Sequence, residues 1–175
     1  VRIDVAIPYE PDRQLGFAYN RHIKGSNADW FLFLDHDVLL CTPYWYDLCL
    51  SAIKKYGKTA GWISGVTNRI GCHWQRANEY DVNIDENNDN VEYHYRKGAE
   101  LYNKHKYAFY EPPDYAPFSG LFILTHREAW EKAWKNNVPT GWMIDNSYDK
   151  KLRESGYKRI IIKGLYMYHI KNKKK

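Results

Sequence analysis

The feature that most constrains this chain is a short continuous apolar run, Trp30, Phe31, Leu32, Phe33 and Leu34, that ends on Asp35, His36 and Asp37. With no polar residue at alternate positions it has no face suited to water, so it reads as a strand covered on both sides. The flanking sequence supplies the covering layers. Ile3 to Ile7 reads as a short strand stopped by Pro8, and Leu15, Ala18, Tyr19, His22 and Ile23 recur at helical spacing up to Gly25. After the run, Thr42 is placed to cap a helix with Pro43 at its first position. That helix carries Trp45, Leu48, Cys49, Ala52, Ile53 and Tyr56 on one face and stops at Gly57, and Gly61 to Val66 reads as a further strand. Strand, helix, strand, helix, strand is the pattern of a parallel sheet with covering helices.

The middle of the chain, 67–117, is less periodic. It holds an Asp/Asn/Glu-rich turn at Asp85 to Asn90 and three prolines, Pro112, Pro113 and Pro117. Tyr93 to Tyr107 fits a helix or a strand pair equally well, and a segment of this length without clear scaffold character is expected to border a site. Regularity returns at Ser119 to Leu124, a strand, followed by a capping box of Thr125 and Glu128 opening a helix with Ala129, Trp130, Ala133 and Trp134 inward. Asp145 is placed to cap one more helix with Tyr148 and Leu152 inward and Gly156 at its stop, and Ile160 to Ile162 and Leu165 to Ile170 are closing strands. No repeat or linker interrupts residues 1–175, so a single domain is expected, with 171–175 as a basic tail.

Composition narrows the function. Lys and Arg number 26 against 21 Asp and Glu, but four of the cations are Lys171, Lys173, Lys174 and Lys175, which leaves the body nearly neutral. A broad nucleic-acid-binding face is therefore not expected, while a compact polyanion such as a diphosphate is within reach. No apolar run approaches a membrane span and no signal-peptide pattern opens the sequence. Cys41, Cys49 and Cys72, odd in number, match neither a disulfide framework nor a zinc spacing, which points to a reducing, cytoplasmic setting. Cys72, His73 and His94 likewise read as structural. Aromatics make up 17% of the chain, with 16 Tyr and 7 Trp, side chains that fill cores and also offer flat faces to sugars and bases.

Asp35 and Asp37 carry the sharpest chemical signal. In open α/β sheets ligands gather at the carboxyl ends of strands, where this pair stands. Two ionised carboxylates beside so much apolar surface repel one another unless a cation lies near them. A hard divalent ion, Mn²⁺ or Mg²⁺, answers that need, and the plainer reading is that the two residues cap the turn before Thr42.

This strand with its Asp-His-Asp ending resembles the D-x-D motif of GT-A-fold glycosyltransferases, especially the large family 2 group. Leu15 to Asn20 is similar to the Gly/Ala/Asn helix that precedes the motif in that family, and Ser119 to Glu128 to its Gly-rich strand and Arg-Glu helix start. Asp145, eleven residues before Gly156, falls on the family's base position, and Tyr166 to His169 resembles its late metal-binding strand. The resemblance implies an α/β, Rossmann-like GT-A fold with a mostly parallel central sheet and helices on both faces. It implies transfer of a sugar from a nucleotide-diphosphate sugar, UDP by default, to a saccharide or other hydroxyl acceptor. Asp37 and His169 would bind the metal, with Asp35 reaching the ribose or a metal-bound water, and Asp145 would be the general base of an inverting transfer. Pro8, Tyr9, Glu10, Arg13, Asn20, His36 and Gly120 fall on the donor side, with Tyr9 able to stack on a base and Arg13 able to reach a phosphate. Trp142 falls on the acceptor side. The chain departs from the family in having one βα unit ahead of the acidic pair instead of two, and in carrying Ile144 and Ser147 where the base motif has acids.

Two other readings share these residues. One is a non-catalytic nucleotide-sugar-binding module of the same fold. The other is a haloacid-dehalogenase-type phosphatase, which also sets D-x-D after an apolar strand but wants Thr or Val where Leu39 stands.

Overall fold

The computed structural model describes residues 1–12, 14–134 and 144–170. In chain order the elements are β1 (Ile3–Ala6), α1 (Leu15–Gly25), β2 (Trp30–Leu34), β3 (Val38–Leu40), α2 (Trp45–Tyr56), β4 (Ala60–Thr67), α3 (Val91–His105), β5 (Phe109–Tyr110), β6 (Phe122–His126), α4 (Arg127–Ala133), α5 (Ile144–Glu154) and β7 (Lys158–His169). The strands form one seven-stranded sheet in the order β1-β2-β6-β4-β7-β3, with β5 also paired to β7.

The sheet is mixed, which corrects the expectation of a mostly parallel one. Only β1 with β2 and β4 with β7 run parallel, while β6 inserts antiparallel between β2 and β4. The early alternation of strands and helices does specify crossovers, but it leaves open which strand fills the gap they create. Here a strand from the second half of the chain does so. β3 and β5 add two more antiparallel pairings on β7.

Helices cover both faces, as the buried apolar run requires. Phe31 and Phe33 point into a cluster with Tyr19 and Ile23 of α1, Trp130 of α4 and Tyr148 of α5. Trp30, Leu32 and Leu34 point the other way, against Leu48, Cys49, Ala52 and Ile53 of α2. Strand side chains alternate across the sheet, so five consecutive apolar residues serve two cores at once. Cys41, Cys49 and Cys72 are free and buried.

Local capping differs from the sequence reading at two points. Thr42 does not cap α2; its hydroxyl donates to the Gly164 carbonyl and accepts the Tyr166 N–H (2.9 Å), joining the start of α2 to β7. Thr125 does not open a capping box either, because it is still in β6 and its hydroxyl bonds the Gly61 carbonyl at 2.7 Å. His126 caps α4 instead, its Nδ1 accepting the Ala129 N–H. In both cases strand pairing claims the hydroxyl that local sequence assigns to a helix. The undecided stretch 93–107 is helical within α3, and Asn90 caps it by accepting the Tyr93 N–H.

Much of 67–117 is scaffold. Tyr80, Val82, Ile84, Leu101 and Ala116 are buried. His94 stacks on Tyr168 and is held by the Tyr166 hydroxyl and the Asn88 carbonyl, a structural role as expected. The proline-rich end is fixed by Arg159 of β7, whose guanidinium donates to the Pro113 and Ala116 carbonyls and pairs at 3.0 Å with the buried Asp149 of α5. Asp149 is also held by Arg153 Nε at 3.0 Å, so the buried carboxylate is shared between two guanidinium groups.

Candidate active site

Two strand pairings build the site. β2 lies antiparallel to β6 with Leu34 opposite Phe122, so the chain leaving β2 meets the chain entering β6. The Asp35 N–H donates to the Leu121 carbonyl at 3.1 Å. One residue earlier, the Gly120 N–H donates to Oδ2 of Asp145 at 3.1 Å. The first turn of α5 is thereby brought to the end of β2. Only glycine fits at 120, since a Cβ there would lie 2.8 Å from Cβ of Asp145. On the other side, β3 pairs antiparallel with β7 so that Val38 faces His169, and the Ile170 N–H donates to the Asp37 carbonyl at 2.8 Å. That register puts Nε2 of His169 3.5 Å from Oδ2 of Asp37. Residues from three distant parts of the sequence thus meet at one end of the sheet.

The electrostatics show how closely they meet. The Asp35 carboxyl is pushed up to about 6, first by burial and then by the Asp37 charge; Asp145 adds to the rise, while His169 and His36 oppose it. The phenol of Tyr19 on α1 is also raised, by burial and by Asp35 and Asp145. Its ring is packed 4.6 Å from Phe33 and against Trp130, so a protonated hydroxyl stands beside the acids. Tyr19 has the spacing of a core residue in the sequence, and nothing there marks it as a neighbour of the acids.

The fit to a divalent ion can be tested on these distances. Bonds of about 2.1 Å at roughly right angles set two adjacent ligands ~3 Å apart, so the Asp37–His169 pair needs only a small adjustment to share an ion. Among the described residues no group of three or more His, Cys, Asp or Glu side chains is arranged to hold a metal. An ion held here would find two protein ligands, Asp37 and His169, and would need its remaining ligands from elsewhere.

The other sequence candidates separate. Pro8 and Tyr9 line a cleft of about 550 Å³ between β1 and α1 together with Ala18, Arg21, His22 and Ser26, and Tyr9 is 76% exposed. Glu10 is tied to Arg21 at 3.2 Å. Asn20 faces inward, its Oδ1 accepting the Trp130 indole N–H at 2.7 Å, which makes it a brace between α1 and α4. His36 is exposed on the turn beside Asp35. Arg13, Trp142 and the tail lysines lie outside the described residues.

Three residues that the sequence reading passed over support the site. Gln75, fully buried, donates to Ser64 Oγ and the Ser119 carbonyl and accepts the Ser119 N–H, which fixes the approach to Gly120. Asn68 and Arg69 bond to the backbone of His169 and Ile170. The available signal is position, since Asn68 follows directly on a fully buried strand, as Asp35 does, and Arg69 comes next.

The chain matches no protein-family model and no curated protein. Among the described residues no helix is long and apolar enough to cross a membrane.

Proposed function

We propose that this protein is a metal-dependent glycosyltransferase that moves a sugar from a nucleotide-diphosphate sugar, UDP-linked by default, to a hydroxyl acceptor with inversion. The observation that carries the reading is the convergence of Asp35, Asp37, Asp145 and His169 at the carboxyl end of β2, with Nε2 of His169 facing Oδ2 of Asp37 at 3.5 Å. Three acids crowded beside buried rings call for a cation, and a diphosphate leaving group calls for the same. Mn²⁺ or Mg²⁺ held by Asp37 and His169 would supply electrostatic stabilisation of the leaving diphosphate.

The chain's own residues account for the remaining chemistry. Asp145 is held by two amides, Oδ2 by Gly120 N–H and Oδ1 by Asn146 N–H at 2.8 Å, so its carboxylate keeps one orientation. It accepts the proton of the acceptor hydroxyl as that oxygen bonds to the anomeric carbon. The bond from that carbon to the diphosphate breaks, and its electron pair leaves with the nucleotide. Asp35 lies between the two halves of the site and helps to position the donor, on the ribose or through a metal-bound water. The cleft lined by Pro8 and Tyr9 runs along β1 and α1 and is lined by none of the four site residues, so it would serve the nucleoside and not the diphosphate.

The test is release of nucleotide from a panel of nucleotide sugars with Mn²⁺ present. Turnover that disappears with EDTA or in Asp37→Ala supports the proposal. Metal-dependent binding without turnover, over a broad acceptor panel, would leave a binding module. A product with retained anomeric configuration would remove Asp145 from the base role.

A further inference from the structure

We infer that Asn68 and Arg69 are positioning residues that hold His169 as the Nδ1–H tautomer, with Nε2 presented to Asp37. The inference deepens the metal-dependent reading and rests on it for its purpose, while its geometry stands separately. β4 runs parallel to β7 with Thr67 beside Met167, so the chain leaving β4 passes alongside His169. Asn68 is 2% exposed and uses both ends of its amide: Oδ1 accepts the His169 N–H at 2.9 Å and Nδ2 donates to the His169 carbonyl at 3.4 Å. Arg69 donates from Nε to the His169 carbonyl at 3.4 Å and from Nη2 to the Ile170 carbonyl at 2.8 Å. The backbone of His169 is therefore gripped on both sides.

The decisive contact is from the main chain of Arg69, whose carbonyl lies 3.2 Å from Nδ1 of His169. A carbonyl can only accept, so Nδ1 must carry the proton. A neutral imidazole has one N–H, which leaves a lone pair on Nε2, 3.5 Å from Oδ2 of Asp37. Two lone pairs facing each other form a favourable arrangement only when a proton or a cation lies between them. Histidines that bind metals almost always donate their second ring nitrogen to a carbonyl or carboxylate in this way, and losing such support typically weakens metal binding 10–100-fold. A clamp that served only to finish β7 would have no reason to select a tautomer.

The test uses metal-free wild type, Arg69→Met and Asn68→Ala, with His169 assigned by difference from His169→Gln. Arg69 is half-buried, so Arg69→Met keeps the test available should Asn68→Ala fail to fold. Long-range ¹H–¹⁵N NMR, at a pH about 1.5 units above the ordinary imidazole value, reads the tautomer. Wild type is expected to show Nδ1–H alone, and the variants a mixture of tautomers. Mn²⁺ titration in the presence of UDP, followed by EPR, is expected to show a 10–100-fold loss of affinity in the variants, with partial recovery in Arg69→Lys. A folded Arg69→Met with unchanged tautomer and unchanged Mn²⁺ affinity would overturn the inference. Wild type that holds the Nδ1–H form yet binds no Mn²⁺ supports the clamp and sinks the metal reading. Wild type that binds Mn²⁺ but carries the proton on Nε2 when metal-free does the reverse.

Discussion

Replacing Asp35 by Asn should stabilise the metal-free protein, and the gain should depend on pH. The Asp35 carboxyl rises from 3.8 to about 6 on folding, through burial and the charges of Asp37 and Asp145. The folded state therefore binds this proton more tightly than the unfolded chain. The favourable contribution is complete below the unfolded value and is lost as pH rises towards the folded one. Above pH ~6 the ionised carboxylate, raised from 3.8 to about 6, costs roughly 3 kcal/mol as a ceiling. Asn keeps the size and the Asp35 backbone bond to Leu121 and carries no charge. Urea unfolding in EDTA should thus give Asp35→Asn a gain approaching 3 kcal/mol at pH ~8 and close to none at pH ~4. For a domain of ordinary stability, 5–15 kcal/mol, that is a large fraction. A difference between the two proteins that does not change with pH would refute the reasoning, because it would mean that neither burial nor the neighbouring acids raise the Asp35 carboxyl.

Gly120→Ala should push Asp145 aside, since the new Cβ would stand 2.8 Å from Cβ of Asp145; a misplacement on the 1 Å scale lowers kcat on the order of 10²-fold, measurable beside a melting curve that shifts modestly. Asp145→Asn removes the proton acceptor and, because an amide keeps one acceptor oxygen, one of the bonds from the Gly120 and Asn146 N–H groups. Donor binding should survive, stability should fall by about 1 kcal/mol, and kcat should fall by about 10² to 10⁴; near-normal turnover would make Asp145 a first-turn helix residue only. Asn20→Ala should leave the buried Trp130 indole N–H without its acceptor and cost about 1–3 kcal/mol in denaturant titration, with donor KM unchanged in the surviving folded protein. Arg159→Met should cost about 1–3 kcal/mol by leaving the Pro113 and Ala116 carbonyls without their donor and Asp149 with Arg153 as its remaining partner, and Asp149→Asn in the same chain should recover part of it.

The elements were largely legible because each carries its own punctuation. Gly25, Gly57 and Gly156 end the three helices read from them, and the latter two do so at positive φ. The pairing of strands was not legible, because β6 enters between β2 and β4 by a choice among edges that no local pattern encodes. Thr42 and Thr125 failed as caps for a related reason: their hydroxyls answer to strands 122 and 64 residues away. At the candidate site, the positions of Asp35, Asp37, Asp145 and His169 at strand ends and on a helix start were readable from the sequence. The bond from Asn20 to the Trp130 indole was not legible, because a polar residue on an apolar helix face looks the same whether it meets a ligand or an indole. Asn68, Arg69 and Gln75 act through backbone groups, and such work leaves no mark in residue type.

Asp145 takes its position from residues that come after it. Along α5, Tyr148 bonds Thr125, Asp149 meets Arg159, and Leu152 fills the space left by Gly61. The helix that carries this carboxylate is thus moored to β4, β6 and β7 together, so the acid at its first turn keeps its place by belonging to the sheet it covers.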